Sequence, residues 1–309
     1  MRKDNNRPFG PRRAAAAAGL LVVWLGVWGC SQEKPQTLTV AYSADLRGAI
    51  DPCDCPGKEY GGLARRATFL EAVRDTAENF LLLDGGDFFG SEIEFGPEKA
   101  EIVVNSIALM GYDGLVLGES DFGFGIDYIV DRTAELNLPV VVANLYDAKT
   151  GEPLFPPSRT LDFPNGLIVG IIGVMGNKLK LPPQVPEGAL QVTDPLAAVE
   201  REVAALVGEV DVVIVLAHLP AVEARKLAET VPGVDLVVVG HEGHQPRKIR
   251  RFGNAFVLQV PKEGTHAGVA FAVVGKEGAV SSLTSDLTPL SDSYKDHEAI
   301  KDLIRAHGL

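Results

Sequence analysis

Between residues 38 and 239 apolar runs of strand length alternate with helix-like segments, and five of the runs end in residues able to hold a metal. The runs at 38–43, 80–83 and 114–117 lead into Asp45, Asp84-Gly85-Gly86-Asp87 and Gly118-Glu119-Ser120-Asp121. Those at 212–217 and 234–239 lead into His218 and into Gly240-His241-Glu242-Gly243-His244. The carboxyl ends of strands are where α/β sheets place their chemistry. A single Asp after a strand says little, because Asp is a common turn residue. His241 and His244 alone would equally be two exposed loop histidines. Five such ends in order are hard to explain by turn chemistry. Mixed carboxylate and imidazole donors suit Zn, Mn or Fe, as one ion or as a pair bridged by a carboxylate.

The spacing predicts helices at 62–75, 99–110, 126–136, 195–207 and 221–230, and further strands at 139–143 and 167–174. Runs at 255–260, 268–274 and 280–287 read as consecutive antiparallel strands, and 295–307 as a closing helix. Strand–helix alternation ending in a run of strands predicts an α/β fold of two packed mixed sheets flanked by helices.

Arg2, Lys3, Arg7, Arg12 and Arg13 precede an uncharged apolar stretch at 14–29, too short to span a membrane comfortably, which reads as an export signal. It ends in Gly29-Cys30, which resembles a bacterial lipobox. That resemblance implies cleavage after residue 29 and a lipid on Cys30, with a tether at 30–36. Removing residues 1–29 takes five basic and one acidic residue from the 29 and 41 of the full chain, leaving 24 against 40 and a formal charge of −16. Such a surface argues against a nucleic acid partner and against a polybasic membrane patch. It also requires a metal or an arginine to offset the field locally for a small anionic substrate.

The order of the strand ends resembles the calcineurin-like metallophosphoesterases, specifically the bacterial periplasmic 5′-nucleotidases and UDP-sugar hydrolases. The resemblance runs over residues 37–290, followed by a helical tail at 291–309. It implies a four-layer α-β-β-α sandwich and a two-metal site at which water attacks phosphorus. The family's blocks are Asp-x-His, Gly-Asp, Gly-Asn-His-Glu/Asp, a lone His and Gly-His-x-His. Here Asp45-Leu46-Arg47 fills the first, so Arg47 stands where a ligand is expected. Gly86-Asp87 is intact, and Asp87 takes the bridging role. Glu119 replaces the Asn ligand, and Ser120, followed by Asp121, replaces the transition-state His. His218 and His241 match, and His244 comes one residue late. The resemblance thus implies one intact metal position from Asp87, Glu119, His218 and His241. The second keeps Asp45, shares Asp87, depends on His244 and loses a ligand to Arg47. A guanidinium cannot bind a metal but can grip an anion.

Cys53-Asp54-Cys55-Pro56 lies in the loop after the first block. Its thiols read as replacement metal ligands, as a redox pair or as a small structural disulfide. With the Gly-Gly-Leu-Ala-Arg-Arg run at 61–66, the loop resembles a UshA-like bacterial group that includes selenoproteins. Asn144 and Arg65 are candidate substrate contacts, against readings as a turn residue and a solvated helix residue. Two readings of the whole follow. One is an exported, lipid-anchored hydrolase of phosphoesters with an altered metal site. The other is a non-hydrolytic redox, metal-binding or anion-binding protein on the same scaffold.

Overall fold

The computed structural model describes residues 35–53, 58–90, 96–242, 249–275 and 278–309. Cys30, Cys55 and His244 lie outside the described residues. Residues 35–309 form one compact unit. No helix among the described residues is long and apolar enough to cross a membrane.

The first sheet has the order β13-β12-β1-β2-β3. Its strands are β1 (Gln36–Ser43), β2 (Phe80–Asp84), β3 (Gly114–Leu115), β12 (His266–Val274) and β13 (Val280–Pro289). β1, β2 and β3 run parallel; β12 is antiparallel to β1, and β13 to β12. The second sheet has the order β10-β11-β9-β8-β6-β5. It is built from β5 (Ser158–Asp162), β6 (Ile168–Met175), β8 (Val212–His218), β9 (Leu236–Gly240), β10 (Arg250–Phe252) and β11 (Ala255–Gln259). Its centre is parallel and its two edge strands, β5 and β10, pair antiparallel. A two-stranded sheet of β4 (Leu145–Asp147) and β7 (Leu190–Val192) lies apart.

Parallel strands covered on both faces should read as continuous apolar runs, and β8 and β9 do. Ile214, Leu216, Leu236 and Val238 join the core shared with the first sheet. Val213, Val215, Val237 and Val239 face a second core against α4 (Pro195–Leu206) and α5 (Ala221–Thr230). The remaining helices are α1 (Leu63–Arg74), α2 (Pro97–Met110), α3 (Ile126–Glu135) and α6 (Glu298–Ala306). α6 packs on α1 and α2 through Ile300, which is fully buried, so the tail is part of the same unit. This is the expected α/β sandwich of mixed sheets.

Two expectations are corrected. The run at 139–143 is not a strand beyond a single bridge between Leu115 and Val140. It crosses from sheet to sheet: Val141 N–H donates to Leu115 O of β3 and Ala143 N–H to Gly173 O of β6. A Cβ at residue 173 would lie 1.8 Å from Val141 O, so only glycine admits this crossing. The final strands are not one meander either. β11 pairs parallel with β9 in the second sheet, whereas β12 and β13 belong to the first.

Candidate metal centre

β1, β2 and β3 end side by side in one sheet, and β8 and β9 in the other, so their carboxyl-terminal loops meet over the edge of the sandwich. The structure brings Asp45, Arg47, Asp87, Glu119, Ser120, His218 and His241 together there. The contact is tight enough to exclude side chains. A Cβ on Gly118 would sit 2.2 Å from Asp87 Oδ1 and 2.5 Å from His218 Cε1. Asp45, Arg47, Asp87 and His241 all hold positive φ, between 50° and 84°. Non-glycine residues rarely adopt this region, and strain of this kind collects at functional sites.

His218, fully buried, is the hub. Its Nδ1 lies 2.8 Å from the carbonyl oxygen of Gly85, which only accepts, so this nitrogen carries the ring proton. Nε2 then faces Oε2 of Glu119 at 3.0 Å and Oδ1 of Asp87 at 3.6 Å. Burial pulls the imidazole's pKa down, but the two carboxylates outweigh it and push it up to about 10. Glu119 reaches His241 with its other oxygen, Oε1 standing 3.0 Å from Nδ1. Burial alone would raise the Glu119 pKa, yet its two imidazole partners hold it far below the carboxylate range. The nearby Glu119 carboxylate likewise raises His241.

Asp45 is fully buried. Its Oδ1 accepts the backbone N–H of His241 at 3.0 Å, and Oδ2 is buried without a partner. Burial raises this carboxyl's pKa above the usual range. A buried carboxylate oxygen left unpaired is costly, and a cation is the partner it lacks. Ligand atoms of Glu119, His218 and His241 fall within 4.8 Å of one another, as do those of Asp45, Asp87 and His218. The donor set therefore fits a borderline divalent metal such as Zn, Mn or Fe. The Arg47 guanidinium is about a third exposed, 3.8 Å from Asp45 Oδ1, and donates to His241 O at 3.3 Å.

The other sequence candidates fall elsewhere or serve the scaffold. Asp121 is fully buried beneath the cluster; its oxygens accept N–H groups of Asp87, Phe89 and Gly118 at 2.9, 3.0 and 2.8 Å. Burial, then the neighbouring Asp87 charge, raises its pKa well above the ordinary value. Ser120 N–H donates to Asp87 Oδ1 at 2.9 Å, and its hydroxyl donates to Phe89 O. Asn144 is fully buried, its amide hydrogens on Met175 O and Thr193 O and its oxygen on Met175 N–H. Arg65 pairs with Glu59 at 3.4 Å and Asp296 at 3.9 Å, away from the cluster. Cys53 is disulfide-bonded.

Sequence reasoning missed a buried support behind the loop that carries Asp87. Ser43 Oγ donates to Asp84 Oδ2 at 2.5 Å and meets Tyr112 Oη at 2.9 Å. Asp84 Oδ1 accepts Gly86 N–H at 2.8 Å, fixing the turn that presents Asp87. The paired glycines at 85–86 were the only trace of it in the sequence, marking a backbone too crowded for side chains.

These layers have the fold of the calcineurin-like phosphoesterases, related to that of 5′-nucleotidases. A calcineurin-like phosphoesterase of Bacillus subtilis, YfkN, superposes with a TM-score of 0.69 at 21% identity, covering 89% of this chain and 97% of that one. The 5′-nucleotidase precursor of Thermus thermophilus gives 0.78 at 22% identity, covering 88% of this chain and 58% of its own. In sequence, the 5′-nucleotidase of Diplobatis ommata is 29% identical over 245 residues, 76% of this chain. The chain spans only 42% of that relative's length. No family model matches the chain.

Proposed function

We propose that the chain is a metal-dependent hydrolase of phosphoesters, nucleotide-like or related, exported and held to the bacterial envelope by a lipid on Cys30. The observation that carries this reading is the buried, unpaired Oδ2 of Asp45 inside a ring of carboxylates and imidazoles at the meeting of two sheets. Asp45, Asp87, Glu119, His218 and His241 would hold the ion. When bound, it supplies a Lewis acid that polarises a phosphoryl oxygen and makes water a better nucleophile. Arg47, the exposed cation beside Asp45, grips and orients the substrate's non-bridging oxygens. Asp121 holds the backbone that aims Asp87, Glu119 and Ser120. The likeness to 5′-nucleotidases supports the choice of phosphoester. The Cys53 loop supports assignment to the UshA-like group with Cys-x-Cys-Pro.

Ser120 favours the second reading, a binding protein. Its hydroxyl is turned to Phe89 O and offers no charged donor to a transition state. A missing donor of this kind costs about a hundredfold or more in rate. Turnover should therefore be slow but metal-dependent. Purified protein is assayed on bis- and mono-p-nitrophenyl phosphate and on nucleoside monophosphates, with and without Zn²⁺ or Mn²⁺. Metal-dependent release that Asp87→Asn abolishes is the expected result; no release on any substrate sinks the hydrolase. For the anchor, Cys30→Ala should move the protein from the membrane fraction to the soluble one. An unchanged distribution refutes the lipid.

A further inference from the structure

The two candidate ligand groups share His218, and its chemistry decides how many ions the cluster takes. The proton on Nδ1 is committed to Gly85 O, which leaves Nε2 one in-plane lone pair. One lone pair serves one ion. The ion that takes Nε2 also has Glu119, 3.0 Å away, and through it His241. A second ion would find only the carboxylates of Asp45 and Asp87, both grouped with the His218 that the first ion takes, among the described residues. It would also stand against a guanidinium, because Arg47 Nη2 lies 3.8 Å from Asp45 Oδ1. Backbone geometry holds that guanidinium in place: residue 47 has φ of 51°, its N–H donates to Asp87 O at 2.9 Å, and its side chain is bonded to His241 O.

We infer that this chain binds a single divalent ion and that the Arg47 guanidinium is the second positive charge of the site, in place of a second metal. The inference rests on the metal-binding half of the proposed function and not on turnover.

The test is a metal count on the full chain, loaded with Zn²⁺, freed of excess and measured by elemental analysis against protein concentration. The wild type should hold one ion per chain. Arg47→His exchanges a repelling cation for an imidazole ligand and should hold two. Arg47→Lys keeps the charge and should stay at one, which also guards against a folding defect in the histidine variant. Two ions in the wild type overturn the inference, and so does a folded Arg47→His that stays at one. A wild-type count of two that His244→Ala reduces to one overturns it in favour of His244. Turnover is scored separately. One ion without turnover sinks the hydrolase and leaves this inference standing, whereas two ions with turnover does the reverse.

Discussion

At the residue scale, the gathering of the candidate ligands was legible because their positions are dictated by the strands before them. Asp45, Asp87, Glu119, His218 and His241 each follow an apolar run, and the structure gathers their side chains. What lies behind them was not legible. Asp84 reads in sequence like one more ligand, yet it points away, into Ser43 and a backbone turn. Which way a strand-end carboxylate faces depends on the crossing geometry and not on its neighbours in sequence. Asp84 titrates in a way that can be tested. Burial pushes its carboxyl up to about 6, with the Ser43 and Gly86 bonds opposing. In the unfolded chain it titrates near the ordinary ~3.9. Protonated Asp84 therefore lends stability that is fully present below pH ~4 and gone above pH ~6, because the folded state binds the extra proton. Two units correspond to about 3 kcal/mol at most. Asp84→Asn can keep both hydrogen-bonding positions and does not titrate. Its stability relative to wild type should thus rise between pH 4.5 and 7 by about 2 kcal/mol. Urea unfolding at the two pH values measures this, and a gap that stays constant contradicts the role given to Asp84.

At the scale of elements, the long central strands were legible because burial on both faces leaves them almost wholly apolar. β6, β8 and β9 carry that signature. The short edge strands were not. β5 reads Ser-Arg-Thr-Leu-Asp and β10 reads Arg-Arg-Phe, sequences that fit an exposed edge no better than a loop. The run at 140–143 failed for the opposite reason. It is as apolar as a strand, but it is buried while crossing between sheets, where apolar content carries no period. Pairing partners were likewise beyond the sequence: β11 and β12 are separated by six residues and lie in different sheets. The link between sheets is partly a side-chain matter. Asp235 accepts Val213 N–H of β8 with one oxygen and Val280 N–H of β13 with the other, at 2.9 and 2.8 Å. Nothing in the local sequence marks that carboxylate as a tie.

At the scale of the whole molecule, the cluster closes the sandwich at its other end. Asp45, Asp87 and Glu119 come from the first sheet, and His218 and His241 from the second. Without a cation, three carboxylates crowd one buried edge, and imidazole protons are what hold them. A metal held there would join the two sheets and relieve repulsion between them, so its loss should be felt globally and not as the loosening of one loop. A ligand that binds only the folded state at a hundred times its Kd stabilises by about 2.7 kcal/mol. For a domain of this size that is roughly 5–10 °C in Tm. Chelation should lower the wild-type Tm by that amount, and re-addition of Zn²⁺ or Mn²⁺ should restore it. Asp87→Asn should melt at nearly the same temperature with and without chelator, because the ion it would lose is already absent. Calorimetry of the two proteins under both conditions settles the matter. A chelator shift of equal size in Asp87→Asn would place the stabilising metal somewhere other than between the sheets.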